Sequence, residues 1–154
     1  MKWYPHLAFN GQCESAFRFY ERCLGGKVAV MLTWADSPMA EQAPEGFGEK
    51  ILHATLTVGD NMLAGSDSLP GQYLQPQGFH ILVNIGDPLE AERIFGALAE
   101  NGSVAMPFQQ TFWAAGFGVL SNGPRTISHL GRDGVVPFWQ NTFLANGELA
   151  EFGL

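Results

Sequence analysis

The chain has 154 residues, 46% hydrophobic and only 15% charged, the composition of a globular domain with a sizeable core and not of a disordered segment. Its formal net charge is −7 and its eight basic residues form no run, which excludes nucleic acid and anionic membrane surfaces as partners. No apolar stretch reaches the ~20 residues of a bilayer span and no signal-peptide core opens the chain, so a cytoplasmic protein is expected.

Residues 3–9 run apolar and end at Asn10-Gly11, a strand closed by a turn. Residues 13–24 put Ala16, Phe17, Tyr20, Cys23 and Leu24 on one helical stripe, and Gly25-Gly26 supplies a left-handed stop. Cys13 and Cys23 lie on that helix about 15 Å apart along its axis, too far for a disulfide, so both are read as packed thiols. Val28–Trp34 is a strand, and residues 36–48 form a loop long enough to act as a lid. Ile51–Val58 is the next strand, turning at Gly59-Asp60-Asn61 into a short one at 62–65. Gly65-Ser66-Asp67 then leads into a Pro/Gly/Gln-rich connector, residues 68–77.

The second half restarts with a strand at 79–85. Asp87-Pro88-Leu89-Glu90 is a helix start, with Asp as N-cap, Pro at the first helical position and Glu at the capping-box position. Ala91, Ile94, Phe95, Leu98 and Ala99 form its buried stripe, and Gly102 stops it. Strands follow near 103–112 and 115–121; beyond Ser121 the pattern is weak and assigns no element.

The two halves therefore repeat one unit. Pro5-His6-Leu7-Ala8-Phe9-Asn10-Gly11 and Phe79-His80-Ile81-Leu82-Val83-Asn84-Ile85-Gly86 each open a β-α-β-β-β series. A period of that size marks two copies of a supersecondary module, 1–67 and 78–154, which share burial in one domain. The repeat also gives His6 and His80 equivalent places, from which both could face one cavity.

Phe9-Asn10-Gly11-Gln12-Cys13-Glu14-Ser15-Ala16-Phe17-Arg18-Phe19-Tyr20 with Leu24-Gly25-Gly26 resembles the opening of PhnB-like proteins, in the vicinal-oxygen-chelate superfamily of glyoxalases, bleomycin-resistance proteins and dioxygenases. Ala35-Asp36-Ser37-Pro38-Met39, His53-Ala54-Thr55-Leu56, Leu63-Ala64-Gly65-Ser66-Asp67 and Phe112-Trp113-Ala114-Ala115-Gly116-Phe117-Gly118 agree with it. The resemblance spans residues 3–120. It implies an α+β fold of two pseudo-symmetric βαβββ modules around a U-shaped cleft, a homodimer, and a small-molecule ligand. Past Gly118 the sequence departs from the family pattern, with only a loose echo at Arg132-Asp133-Gly134 through Trp139.

The resemblance also implies where chemistry would sit. His6 and His80 match the first-strand positions that hold a divalent metal (Zn, Ni, Mn or Fe) in metal-dependent members, where it acts as a Lewis acid. The closing-strand position of the first module falls near Ala64-Gly65 and brings no carboxylate; in the second, Asp133, Glu148 and Glu151 are all open. His53 is either a general base or a packed histidine with one satisfied hydrogen bond. Asp67 either orients a ligand or caps its turn. Trp34, Phe108, Phe112 and Trp113 fall on strands and line either a ligand pocket or the core. His129 lies in a stretch with no assigned element. No glycine-rich nucleotide signature is present, which excludes the methyltransferase activity sometimes attached to PhnB-like relatives. Three readings follow: a small-molecule binding protein, a metal-dependent lyase, isomerase or dioxygenase using His6 and His80, and a non-catalytic dimeric scaffold.

Overall fold

The structure, a computed structural model, describes residues 1–75, 80–100, 102–122 and 140–145. The chain divides into two compact units, Met1–Leu74 and Gln75–Leu154. Unit 1 runs β1 (His6–Phe9), α1 (Cys13–Leu24), β2 (Lys27–Thr33), a 3-10 turn at Ala40–Gln42, β3 (Ile51–Val58) and β4 (Asn61–Asp67). Unit 2 runs β5 (His80–Ile85), α2 (Pro88–Ala99), β6 (Gly102–Gln109), β7 (Gly116–Asn122) and β8 (Gln140–Ala145). The sheet orders are β1-β4-β3-β2 and β5-β8-β7-β6, so both units have one topology. In each, the opening strand pairs parallel with the closing strand and the other neighbours are antiparallel. The fold is α+β, a βαβββ module used twice.

Sequence dictates each helix through its apolar stripe. On α1 the buried residues are Cys13, Ala16, Phe17, Tyr20 and Cys23, while Leu24 is only half-buried. On α2 they are Ala91, Ile94, Phe95 and Leu98. The helix α1 stops at Gly25, whose φ of +66° is the left-handed conformation that a side chain resists. The helix α2 ends at Ala99 with a right-handed cap at Glu100, and Gly102, expected as its stop, already begins β6.

Both helices rest a phenylalanine on a bare strand glycine. A Cβ on Gly65 of β4 would stand 2.6 Å from the Phe17 ring, and one on Gly118 of β7 would stand 2.7 Å from the Phe95 ring. The missing side chain lets helix and sheet approach closely at the centre of each unit. Around the first contact, Phe9 and Tyr20 meet Phe17 edge-on, with centroids 6.1 and 6.3 Å away. Phe9, Phe17, Leu7, Ile51, Leu56 and Leu120 are among the most completely buried side chains.

Element bounds differ from the sequence reading where pairing decides them. The first strand begins at His6 because Pro5 has no N–H to give; its carbonyl accepts from Ala64 N at 3.0 Å. Trp3, in the apolar run 3–9, lies before the strand and is 87% exposed. The strand expected at 62–65 reaches Asp67, because its parallel register with β1 continues through Phe9. The strand expected to 112 stops at Gln109. Phe112 and Trp113 sit instead in the bend before β7, closed by Thr111 N donating to Ala114 O at 3.0 Å.

Two glycines give opposite expectations. Gly65→Ala forces its methyl into the Phe17 ring and should lower stability by roughly 1–3 kcal/mol in urea melts, with a partial rescue by Phe17→Leu. Gly96 lies on α2 with open space around it. Gly96→Ala should raise stability by about 0.5–1 kcal/mol, as for a glycine relieved within a helix. A neutral Gly65→Ala would show that the helix is free to shift away.

Candidate functional site

His6 and His80 occupy the same place in their two units, the first residue of the opening strand. Both are exposed. His6 stands level with Ala64 on β4, and Ala64 with Thr55 on β3. His80 stands level with Gln140 on β8, and Gln140 with Ser121 on β7. His6 and His80 thus each head a row, and their imidazoles lie on the sheet face away from the helix, the face opposite Gly65 and Gly118. Leu7, the next residue, is 2% exposed and belongs to the helix side.

His53 is exposed on β3, two residues before Thr55 and level with Leu32 of β2. It therefore shares the open face of unit 1 with His6. Two strand spacings across and two residues along separate their backbones by roughly 12 Å. Thr55, which the sequence reading did not single out, lies between them and is buried at 7%. The alternation of β3 beginning from His53 was the available signal for it.

Asp67 is placed differently. It is 6% exposed, its Oδ1 accepts from the Cys13 amide at 3.0 Å, and its Oδ2 accepts from the Ile51 amide at 2.9 Å. Both oxygens are thus bound to backbone N–H groups at the starts of α1 and β3. The carboxylate caps a helix 54 residues away in sequence and does so more than it caps its own turn. Gln12, the residue at the N-cap position of α1, makes no side-chain cap; its Oε1 accepts from Asn10 N instead.

The aromatic residues separate into three settings. Trp34 follows β2, is 8% exposed, and meets Phe47 edge-on at 6.3 Å in the loop before β3. Phe108 is half-buried against Phe95 of α2 at 5.6 Å, within the helix–sheet layer. Phe112 and Trp113 pair edge-on at 4.4 Å, and Trp113 meets Phe117 at 5.5 Å. Phe112 is 85% exposed and Trp113 is 37% exposed.

Cys13 is wholly buried and Cys23 nearly so, and both remain thiols. Burial pushes the Cys13 thiol far up, and the negative charges of Asp67 and Glu14 push it further. Burial likewise raises the Tyr20 hydroxyl, with Cys13 and Cys23 adding to it. Neither cysteine is poised as a nucleophile.

A divalent metal needs donors to converge, with carboxylates or thiolates to offset its charge. Among the described residues no group of three or more His, Cys, Asp or Glu side chains does so. The closing strands read Asn-Met-Leu-Ala-Gly-Ser-Asp and Gln-Asn-Thr-Phe-Leu-Ala, so their one carboxylate is Asp67, already bound to two amides. Asp133, Glu148, Glu151 and His129 lie outside the described residues and outside β8. Among the described residues the donors do not complete a metal site.

Two βαβββ modules, each headed by an exposed histidine, define the class of paired-module proteins. The chain belongs to the Glyoxalase/Bleomycin resistance protein/Dioxygenase superfamily, whose pattern it matches over residues 3–134. It is 31% identical to Protein YjdN of Escherichia coli (strain K12) over 126 residues, 77% of this chain and 86% of that protein. The crystal structure of PA1353 from Pseudomonas aeruginosa is similar at 38% identity and a TM-score of 0.78, covering 94% of this chain and 97% of that one. A PhnB protein from Bacillus cereus, named a 3-demethylubiquinone-9 3-methyltransferase, gives a TM-score of 0.70 at 18% identity over 94% of this chain and 99% of its own. The fosfomycin resistance protein FosX from Listeria monocytogenes gives 0.61 at 10% identity over 97% and 94%. At such identities the last two share the fold alone.

Asp67→Ala should leave two buried amides unmet and cost about 2–4 kcal/mol in chemical denaturation. A loss under ~0.5 kcal/mol would mean that those amides find other acceptors. A second expectation concerns pH. The Cys13 thiol stays protonated in the folded chain but ionises near pH 8.5 in the unfolded one, so unfolding releases a proton above that value. The Cys13 contribution should be constant below about pH 8 and fall away as pH rises beyond it, and Cys13→Ala should flatten that alkaline decline. Equal slopes in both proteins would place the titration elsewhere.

Proposed function

We propose that this protein binds a small organic molecule without transforming it, in the manner of a bleomycin-resistance-type binder, and that modules 1–67 and 78–154 act as one domain joined by 68–77. One observation carries the reading: the closing-strand residues level with the two opening-strand histidines are Ala64 and Gln140, both uncharged. Two neutral imidazoles leave the charge of a divalent ion largely unbalanced, whereas as hydrogen-bonding groups they suit a polar, uncharged or anionic ligand. His6, His80 and His53 would supply the polar contacts, and the exposed Phe112–Trp113 pair an apolar one. We further propose a cytoplasmic homodimer, the assembly that the resemblance implies.

The equivalence of His6 and His80 supports a second reading, a divalent-metal-dependent lyase, isomerase or dioxygenase with His53 as general base. A third ligand would then have to come from residues such as Asp133, Glu148 or Glu151. A dimeric scaffold without a ligand is the remaining reading.

Metal analysis of untagged protein prepared without chelator separates the first two. Substoichiometric metal is expected, before and after incubation with Ni, Mn, Zn and Fe(II). About one ion per chain, lost in the His6→Ala/His80→Ala variant, would establish the metalloenzyme instead. In a thermal-shift screen of small aromatic and oxygen-rich compounds, a ligand at a hundred times its Kd should raise Tm by several degrees. The double histidine variant should lose that shift while keeping its own Tm. A screen with no hit, in metal-free protein, would favour the scaffold.

A further inference from the structure

Residues 34–50 join β2 to β3 and close on themselves. At the base, Trp34 N donates to Lys50 O at 3.0 Å and Ala35 N donates to Gly48 O at 2.9 Å. Inside, Ser37 N and Ser37 Oγ both donate to Trp34 O, at 3.1 and 2.8 Å, and Ser37 Oγ accepts from Met39 N. Phe47 N donates to Pro44 O at 2.9 Å, and the Trp34 and Phe47 rings form a small core of the loop's own. From outside, Lys50 Nζ donates to Gly11 O at 3.2 Å. Such a segment is a compact Ω-loop, whose closed form rests on its own few contacts.

One group within that core is unmet. The Trp34 indole N–H is buried and has no acceptor, the one such side-chain atom among the described residues. An indole nitrogen can only donate, so no rotation of the ring turns it into a satisfied acceptor. Opening the loop hydrates it. Against that stand the apolar surface of Trp34 and Phe47, the two backbone hydrogen bonds at the base, the Lys50–Gly11 bond, and the Thr33 hydroxyl, which donates to Asp36 Oδ2 at 2.7 Å and accepts from Asp36 N at 3.1 Å. The orphan donor disfavours the closed form by on the order of tenfold to a hundredfold relative to a satisfied one.

We infer that residues 34–50 form a lid that opens as one unit, and that the unmet Trp34 indole N–H sets how readily the closed form is left. The Trp34–Lys50 and Ala35–Gly48 bonds are the latch. Opening detaches the loop from β2 and β3 at their shared end, and the β3 ladder from Ala54 onward stays paired on both sides. Lid opening is a property of unit 1 and holds whatever the protein binds.

Native-state hydrogen exchange by NMR on the full chain tests this. The amides of Trp34, Ala35 and Ser37 and the Trp34 indole N–H should exchange together, on the order of a hundredfold faster than the amides of Ala54 and Leu56 in β3. Replacing the Trp34 indole by benzothiophene keeps the ring pair and removes the N–H. That change should slow exchange of the loop amides by about tenfold and leave Ala54 and Leu56 unaffected. Loop amides that exchange only in step with Ala54 and Leu56 would overturn the lid. A benzothiophene protein with unchanged loop rates would overturn the part given to the indole.

Discussion

Unit 1 is organised around a single carboxylate. Asp67 ends β4 and its two oxygens hold the first amide of α1 and the first amide of β3, while the next residue's N–H reaches Phe9 O of β1 at 2.8 Å. Four elements are fixed at one corner. The reason lies in α1, which begins after Gln12 and so has no side chain of its own to meet its first N–H groups. A negative group at that end also suits the helix dipole. The helix is therefore completed only when β4 has come home along β1, which couples the local structure to the longest-range pairing of the unit. The contrast is α2, where Asp87 accepts from Leu89 N at 3.0 Å and Pro88 follows it, so that capping is finished within three residues.

That corner also determines what the open face can offer. It pins the far end of β1, and with four residues in the strand His6 has little freedom to change register. At the same time it commits both oxygens of Asp67 to backbone amides. The fold thus presents histidines while withdrawing the only carboxylate that its described closing strands possess. In unit 1 that face carries the imidazoles of His6 and His53 and the hydroxyl of Thr55.

Much of this was legible in the sequence because the signals were local. The stripes of both helices, the stop at Gly25 and the Asp87-Pro88 start each depend on neighbours within a turn or two. The repeat was legible because the two histidines recur in the same local context. The strand β8 was not: Gln140–Ala145 shows no pattern that distinguishes it from its surroundings, and it is a strand because β5 and β7 pair with it on either side. Asp67 was visible as a corner residue, yet its partners Cys13 and Ile51 lie too far along the chain for any turn signature to name them. Phe112 and Trp113 read as strand residues by composition. The ladder with β7 places them in a bend, because its register shifts between Met106 and Gln109 and ends there.

The same two rows explain why family membership settles the scaffold and leaves the chemistry to individual residues. A βαβββ module fixes one position at the head of its opening strand and a level position on its closing strand, whatever side chains occupy them. With a carboxylate at the second position, a histidine at the first becomes half of an electrostatically balanced cation site. With Ala64 or Gln140 there, the same histidine has no anionic neighbour in its row. Within such a row a cation would meet neutral donors alone. The strand pairing is the same in either case, so the identity of the level residue, and not the fold, decides what charge each row carries.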